Sequence, residues 1–218
     1  IPYARGPIRS LPLADAVAQA RALAAEGYRA LAVTGIEISS WGVDFRDGSR
    51  LEDLLAAVCQ AVPDLRVRLG SLEPRTVTED FCRALAPLGN VCPQFHLSLQ
   101  SGCDAVLRRM GRRYDTARYR ESVDRLRRYF PGCAVTTDLI VGFPGETEAE
   151  FRASLAFVES CGLAQIHVFP YSRRAGTAAA RMEGQLPNAV KAARSAEACR
   201  VAEDLARRYR SSMVGTVA

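Results

Sequence analysis

The residues with the clearest chemical potential cluster in two stretches. One is Thr136-Thr137-Asp138-Leu139-Ile140-Val141-Gly142-Phe143-Pro144-Gly145-Glu146-Thr147, where an apolar, β-rich run stops at Gly-x-Pro-Gly before a helix with an acidic first turn. The other is His96-Leu97-Ser98-Leu99-Gln100-Ser101-Gly102-Cys103, where hydroxyls and an amide follow a strand-like alternation. Carboxylate, amide, hydroxyl and glycine backbone gathered at strand ends suit a ligand with ribose, amino-acid and purine parts. Further polar and aromatic residues follow other apolar runs: Gly35, Ile36, Glu37, Ser39 and Trp41; Ser71, Glu73 and Arg75; Phe169, Tyr171, Ser172 and Arg173.

These residues need elements to position them, and the pattern alternates helix with short strand. Helical periodicity covers Leu13–Glu26, Leu51–Val62, Thr78–Leu88, Asp104–Met110, Thr116–Tyr129, Glu148–Ser160 and Asn188–Ser212. Thr76 or Thr78 is the expected cap of the third helix, and Gly27 and Gly162 are expected to end the first and sixth. A buried strand is expected at Ala30–Gly35, and further strands at Arg66–Ser71, Phe95–Leu99, Ala134–Val141 and Ala164–Pro170. Repeated βα units give an α/β fold with parallel strands and right-handed crossovers. An eight-unit barrel needs roughly 250 residues, and 218 are present. A partial (β/α) TIM-like barrel with its first strand missing is therefore expected. Residues 172–187 lack periodicity and read as a loop across the barrel mouth.

Composition narrows the partners. Net charge is +5 with a sequence pI near 9.0, which permits nucleic acid without requiring it. Of 29 Lys and Arg residues only Lys191 is a lysine, a skew that fits GC-rich coding, so only local arginine clusters carry weight. Seven scattered cysteines form no C-x-x-C, which fits a reducing cytoplasmic setting and leaves no metal site among these residues. No apolar run reaches eighteen residues, so no membrane-spanning helix and no membrane partner are expected.

Five stretches in order carry a resemblance: Ile1 to Ser10, Leu72-Glu73-Pro74, His96 to Tyr114, Thr137 to Glu146, and Phe169 to Thr177. Together they resemble the methylthiotransferase branch of the radical S-adenosylmethionine enzymes. Ser98-Leu99-Gln100-Ser101-Gly102-Cys103 and Thr34-Gly35-Ile36 are most similar to the members acting on threonylcarbamoyladenosine at position 37 of tRNA. The resemblance implies a radical-SAM barrel that adds a methylthio group to C2 of that nucleoside. Its cofactors are S-adenosyl-L-methionine and two [4Fe-4S] clusters, with an electron donor for cluster reduction. The partner it implies is the anticodon loop of tRNA, whose unstacked bases are accessible.

The family's three cluster cysteines would precede Ile1. Residues 1–213 are thus expected to be the radical-SAM core of a longer protein, with 214–218 opening a C-terminal RNA-binding (TRAM-like) domain. An N-terminal cluster domain is expected outside the chain, and the piece alone is expected to be inactive. Two alternatives stay open. One is a same-branch enzyme acting on isopentenyladenosine tRNA or a ribosomal protein; the other, for the piece itself, is a non-catalytic SAM- or RNA-binding module.

The resemblance places Gly35 and Glu37 at the methionine amino group and Ser98, Gln100 and Ser101 at ribose or carboxylate. Asp138, Ile140 and Gly142 would flank adenine, with Tyr171 at the mouth. Arg5, Arg9, Arg113, Arg173 and Arg174, beside Arg108, Arg109 and Arg112, are expected to form a basic rim for tRNA phosphates. Arg125, Arg127 and Arg128 read as a solvated face. Phe169, His96 and His167 read as core residues, Cys103 as packing, and Glu146 as an acid complementing a helix dipole.

Overall fold

The structure is a computed structural model, and it describes residues 6–216. Arg5, expected in the basic rim, lies outside them. The elements are α1 (Leu13–Ala25), β1 (Ala30–Val33), α2 (Leu51–Ala61), β2 (Arg66–Leu69), α3 (Glu79–Leu85), β3 (Gln94–His96), α4 (Asp104–Arg109), α5 (Thr116–Tyr129), β4 (Ala134–Val141), α6 (Glu148–Cys161), β5 (Gln165–Pro170) and α7 (Asn188–Ser212). They fall into two compact units: the residues up to His96 with Asp124–Cys133, and Leu97–Val123 with the residues from Ala134 on.

In the first unit β1 runs parallel to β2, with Ala30 opposite Arg66 and Val33 opposite Leu69. Val67 bridges to Val91 in the same sense. Leu55, Val58, Cys59, Val67, Phe81, Leu85 and Phe95 are buried together as its core. The Asn90 side-chain amide donates to the carbonyls of Cys59, Val62 and Leu65. That satisfies the Cys59 and Val62 acceptors, which the end of α2 would leave open, and ties in Leu65 just before β2. Thr78 caps α3 by accepting from the Phe81 N–H at 3.1 Å.

The expectation that Ala30–Gly35 is a buried strand is corrected. Ala30 and Ala32 are exposed and Leu31 and Val33 half-buried. Among the described residues β1 is paired only with β2, and its residues line an open cavity instead of a packed layer.

In the second unit β4 and β5 are parallel, with Asp138 opposite His167 and Ile140 opposite Phe169. The strand expected at Phe95–Leu99 is regular only to His96, and the side chain of Thr137 explains why. Its Oγ1 donates to Leu97 O at 2.6 Å and accepts from Leu99 N at 2.9 Å, replacing rungs of a backbone ladder. Tyr119 and Tyr114 donate their hydroxyls to Leu97 O and Leu99 O, so the irregular carbonyls are satisfied. Helix α6 starts with a reciprocal Thr147–Glu150 capping box and ends at Gly162, left-handed at φ 57°.

Candidate functional site

The two units contribute separate sets of candidate residues. In the first, a cavity of about 1170 Å³ opens beside β1, and Arg9, Gly35, Glu37 and Trp41 all line it. Ser10 anchors the opening segment by donating its backbone N–H and its hydroxyl to Asp44, and Trp41 Nε1 donates to Leu11 O at 2.9 Å. Gly35, Glu37 and Arg9 are exposed. Past β2, Arg75 makes a two-point contact with Glu73. That carboxylate, reinforced by the charge of Glu37, raises the Arg75 pKa further. Glu37 and Glu73 thus form an acidic edge around one guanidinium at the ends of β1 and β2.

In the second unit the alternation of β4 separates two faces. Val135, Thr137, Leu139 and Val141 are buried, whereas Asp138 and Ile140 are half-open. Gln100 is stitched beside them: its N–H donates to Asp138 O and its carbonyl accepts from Ile140 N, each at 2.9 Å. The Gln100 backbone is left-handed at φ 70°, one of only two such non-glycine residues among those described. A side chain there costs about 1–3 kcal/mol, and such strain concentrates at functional positions. Ser98 and Gln100 are half-open while Leu97 and Leu99 are buried. Ser98, Gln100, Asp138 and Ile140 therefore stand in one neighbourhood. Ser101 does not share it: it is fully buried, and its Oγ accepts from the Cys103 N–H.

His167 and Phe169 occupy the register positions opposite Asp138 and Ile140. Both had been expected in the core, and both are exposed, Phe169 to 51%. His96, expected buried, is half-buried. The open face of β4 and β5 is thus richer in functional groups than the sequence reading held. The missed signal was register: a residue paired with an open Asp138 shares its face.

The loop after β4 departs furthest from expectation. Gly142 is buried and left-handed at φ 73°, and its N–H donates to Glu146 Oε2 at 2.7 Å. Glu146 is not an exposed first-turn acid but is 3% exposed, with Arg194 donating to its carbonyl at 2.9 Å and its carboxylate at 2.7 Å. Burial pushes its pKa up, offset in part by those donors. The close approach that glycine allows is used by the protein's own chain. A Cβ on Gly142 would stand 2.5 Å from Lys191 Cγ, and Gly145 donates to Gly184 O at 2.8 Å. Tyr171 stacks edge-on to Phe143 at 5.3 Å, and its hydroxyl is buried without a hydrogen-bond partner among the described residues.

Of the expected rim in this unit, Arg108, Arg112, Arg113, Arg173 and Arg174 are exposed. Arg173 spends its Nε–H on Ala180 O. Arg109 is instead committed to a bidentate pair with Glu150 at 2.8 and 2.7 Å. In the first unit Arg125 is no solvated residue: its side chain is 11% exposed and donates to Glu79 and to Val77 O. No group of three or more His, Cys, Asp or Glu among the described residues could hold a metal ion. No described helix is long and apolar enough to cross a membrane.

Comparison with known proteins fits this geometry. The chain is 39% identical over 216 residues to the threonylcarbamoyladenosine tRNA methylthiotransferase MtaB of Thermotoga maritima, covering 99% of this chain and 49% of that protein. It is 41% identical over 218 residues to the tRNA-2-methylthio-N(6)-dimethylallyladenosine synthase of Acidothermus cellulolyticus, covering 100% of this chain and 44% of that one. The chain thus spans about half the length of the curated relatives it matches. Among solved structures it resembles the coproporphyrinogen III oxidase HemN of Escherichia coli, with a TM-score of 0.67 at 17% identity over 88% of this chain and 45% of that one. It also resembles the methyltransferase TsrM of Kitasatospora setae, with a TM-score of 0.61 at 20% identity over 75% of this chain and 31% of that one. These likenesses show the fold, a partial (β/α) barrel with parallel strands. The Radical SAM superfamily profile matches residues 1–158, taking in β1 to β4, the Gln100 turn and the glycine loop, and the chain belongs to that superfamily.

Proposed function

We propose that this chain is the catalytic-barrel portion of a tRNA methylthiotransferase acting at C2 of N6-threonylcarbamoyladenosine in the anticodon loop. The observation that carries the reading is the 39% identity to the Thermotoga maritima enzyme across nearly the whole chain. The motif His96–Cys103 folds into the left-handed Gln100 turn beside Asp138 and Ile140, which supports that reading.

S-adenosyl-L-methionine suits the open face of the second unit: hydroxyl and amide for ribose and amino-acid groups, and the Asp138–Ile140 strand edge for adenine. When bound to its iron–sulfur cluster, this cofactor supplies the radical chemistry. In this reading Ser98 and Gln100 hold ribose or carboxylate. Asp138 and Ile140 flank the base, with Tyr171 at the rim. The described residues offer no ligand set for a cluster, and no step is assigned to them there. Arg9, Arg113, Arg173 and Arg174 are the exposed cations proposed to meet RNA phosphates.

A second reading, action on dimethylallyladenosine, is favoured by the 41% identity to the Acidothermus cellulolyticus enzyme. One experiment tests both. Deleting the gene in its source organism and profiling tRNA nucleosides by mass spectrometry should abolish 2-methylthio-threonylcarbamoyladenosine and accumulate the unthiolated nucleoside. Loss of the dimethylallyl derivative instead selects the second reading. Unchanged levels of both overturn the assignment.

A further inference from the structure

In a chain with 29 Lys and Arg residues the single lysine occupies a demanding position. Lys191 lies in the first turn of α7. Its stem runs across Gly142, where an added Cβ would stand 2.5 Å from Cγ and 3.2 Å from Cδ. Its Nζ donates to Tyr171 O at 3.2 Å and lies 6.0 Å from the Tyr171 ring. Gly142 follows β4 and Tyr171 follows β5, so one side chain joins the ends of both strands.

A second tie reinforces the first. Three residues on, and so on the same helix face, Arg194 holds Glu146, and Glu146 holds the Gly142 N–H. Helix α7 therefore grips the glycine loop at two successive positions. Beside this grip the Tyr171 hydroxyl is buried without a partner among the described residues, a state that native proteins leave to water or a ligand to relieve. An arginine at position 191 would carry its charge on a longer, planar fork, which suits the space above a glycine backbone less well than a slim alkyl stem.

We propose that Lys191 is a positioning residue that sets the separation of the β4 and β5 ends where an adenosyl group binds, acting through the backbones of Gly142 and Tyr171. The adenosyl part of this inference rests on the S-adenosylmethionine reading above. The test compares wild type with Lys191→Met, which keeps the stem and removes the ammonium, with Lys191→Arg, and with Arg200→Met, an exposed control on the same helix.

Three quantities are read: amide hydrogen exchange in residues 140–146 and 170–173, the Tm, and the Kd for S-adenosylhomocysteine by calorimetry. Loss of one hydrogen bond from a charged donor predicts about tenfold faster exchange in both segments and about tenfold weaker binding in K191M. Its Tm should match that of R200M, and K191R should not restore wild-type binding. Unchanged exchange and Kd in K191M overturn the proposal, as does a change that merely follows a global fall in Tm. Faster exchange in K191M with no S-adenosylhomocysteine binding by wild type supports the bridge and overturns the cofactor reading, so the two failures are distinguishable.

Discussion

Glu146 and Glu150 stand four residues apart, and their surroundings drive them in opposite directions. Burial pushes the Glu146 carboxyl up, whereas the bidentate guanidinium of Arg109 draws Glu150 down to about 2. Glu150 also closes the α6 capping box by accepting from the Thr147 N–H. Because the folded chain protonates Glu150 less readily than the unfolded chain, its contribution to stability is complete above the ordinary value of 4.5. That contribution is lost as pH falls from there toward about 2. Glu146 has the opposite sign, its contribution being complete below 4.5 and lost as pH rises through its elevated value. Replacing Arg109 by Met should isolate the first effect. We expect a loss of about 1 kcal/mol at neutral pH, the scale of a partly exposed ion pair. The decline of the urea midpoint between pH 5 and pH 2 should be shallower than in wild type. An equally steep acid decline in R109M would show that Glu150 is not held by Arg109.

At the scale of elements, close packing of a strand end on a helix is a sharper constraint than any side chain named for chemistry. Gly102 lies where a Cβ would meet Ser154 O at 2.6 Å and Phe157 Cβ at 2.9 Å, and its N–H donates to the buried Ser154 Oγ at 2.7 Å. Gly102→Ala should therefore destabilise by about 1–3 kcal/mol through overpacking. Ser154→Ala should cost about 1–3 kcal/mol by orphaning a buried N–H. Chemical denaturation of both variants checks this, and values within error of wild type would show that α6 can move aside.

Local pattern made α5, β4 and α7 legible to the residue, because amphipathic period, β-branched content and glycine stops act within the element itself. The neighbourhood of Gln100, Asp138 and Ile140 was legible for the same reason: strand ends place polar residues together. What sequence did not disclose came from distant chain. Thr137 breaks the strand at Leu97–Leu99 from forty residues away, Arg194 converts Glu146 from a surface acid to a buried anchor, and Lys191 fills the space above Gly142. The exposure of His167 was legible in β5 itself, where Gln165 and His167 alternate with Ile166 and Val168, and its pairing with Asp138 places it on the open face.

Across the whole molecule the seven cysteines test whether the described packing exists in solution. Cys59, Cys82, Cys92, Cys133 and Cys161 are buried, and Cys103 and Cys199 are half-buried. No two are joined. Burial raises the thiols of Cys59, Cys82 and Cys133 to about 11, which leaves them almost wholly protonated at neutral pH and poor nucleophiles. Those three line the first unit's interior, whereas Cys161 closes α6 and Cys103 precedes α4 in the second. One labelling time course therefore reports on both units. Reaction with a thiol-specific disulfide reagent at pH 8 should consume two thiols quickly and five only as the chain unfolds, all seven reacting at once in concentrated guanidinium. If the slow class lost its first-unit members while Cys161 stayed protected, the first unit, whose β1 borders the open cavity, would be the looser of the two. Seven fast thiols would mean that neither core is formed, and two fast thiols that both are packed as described.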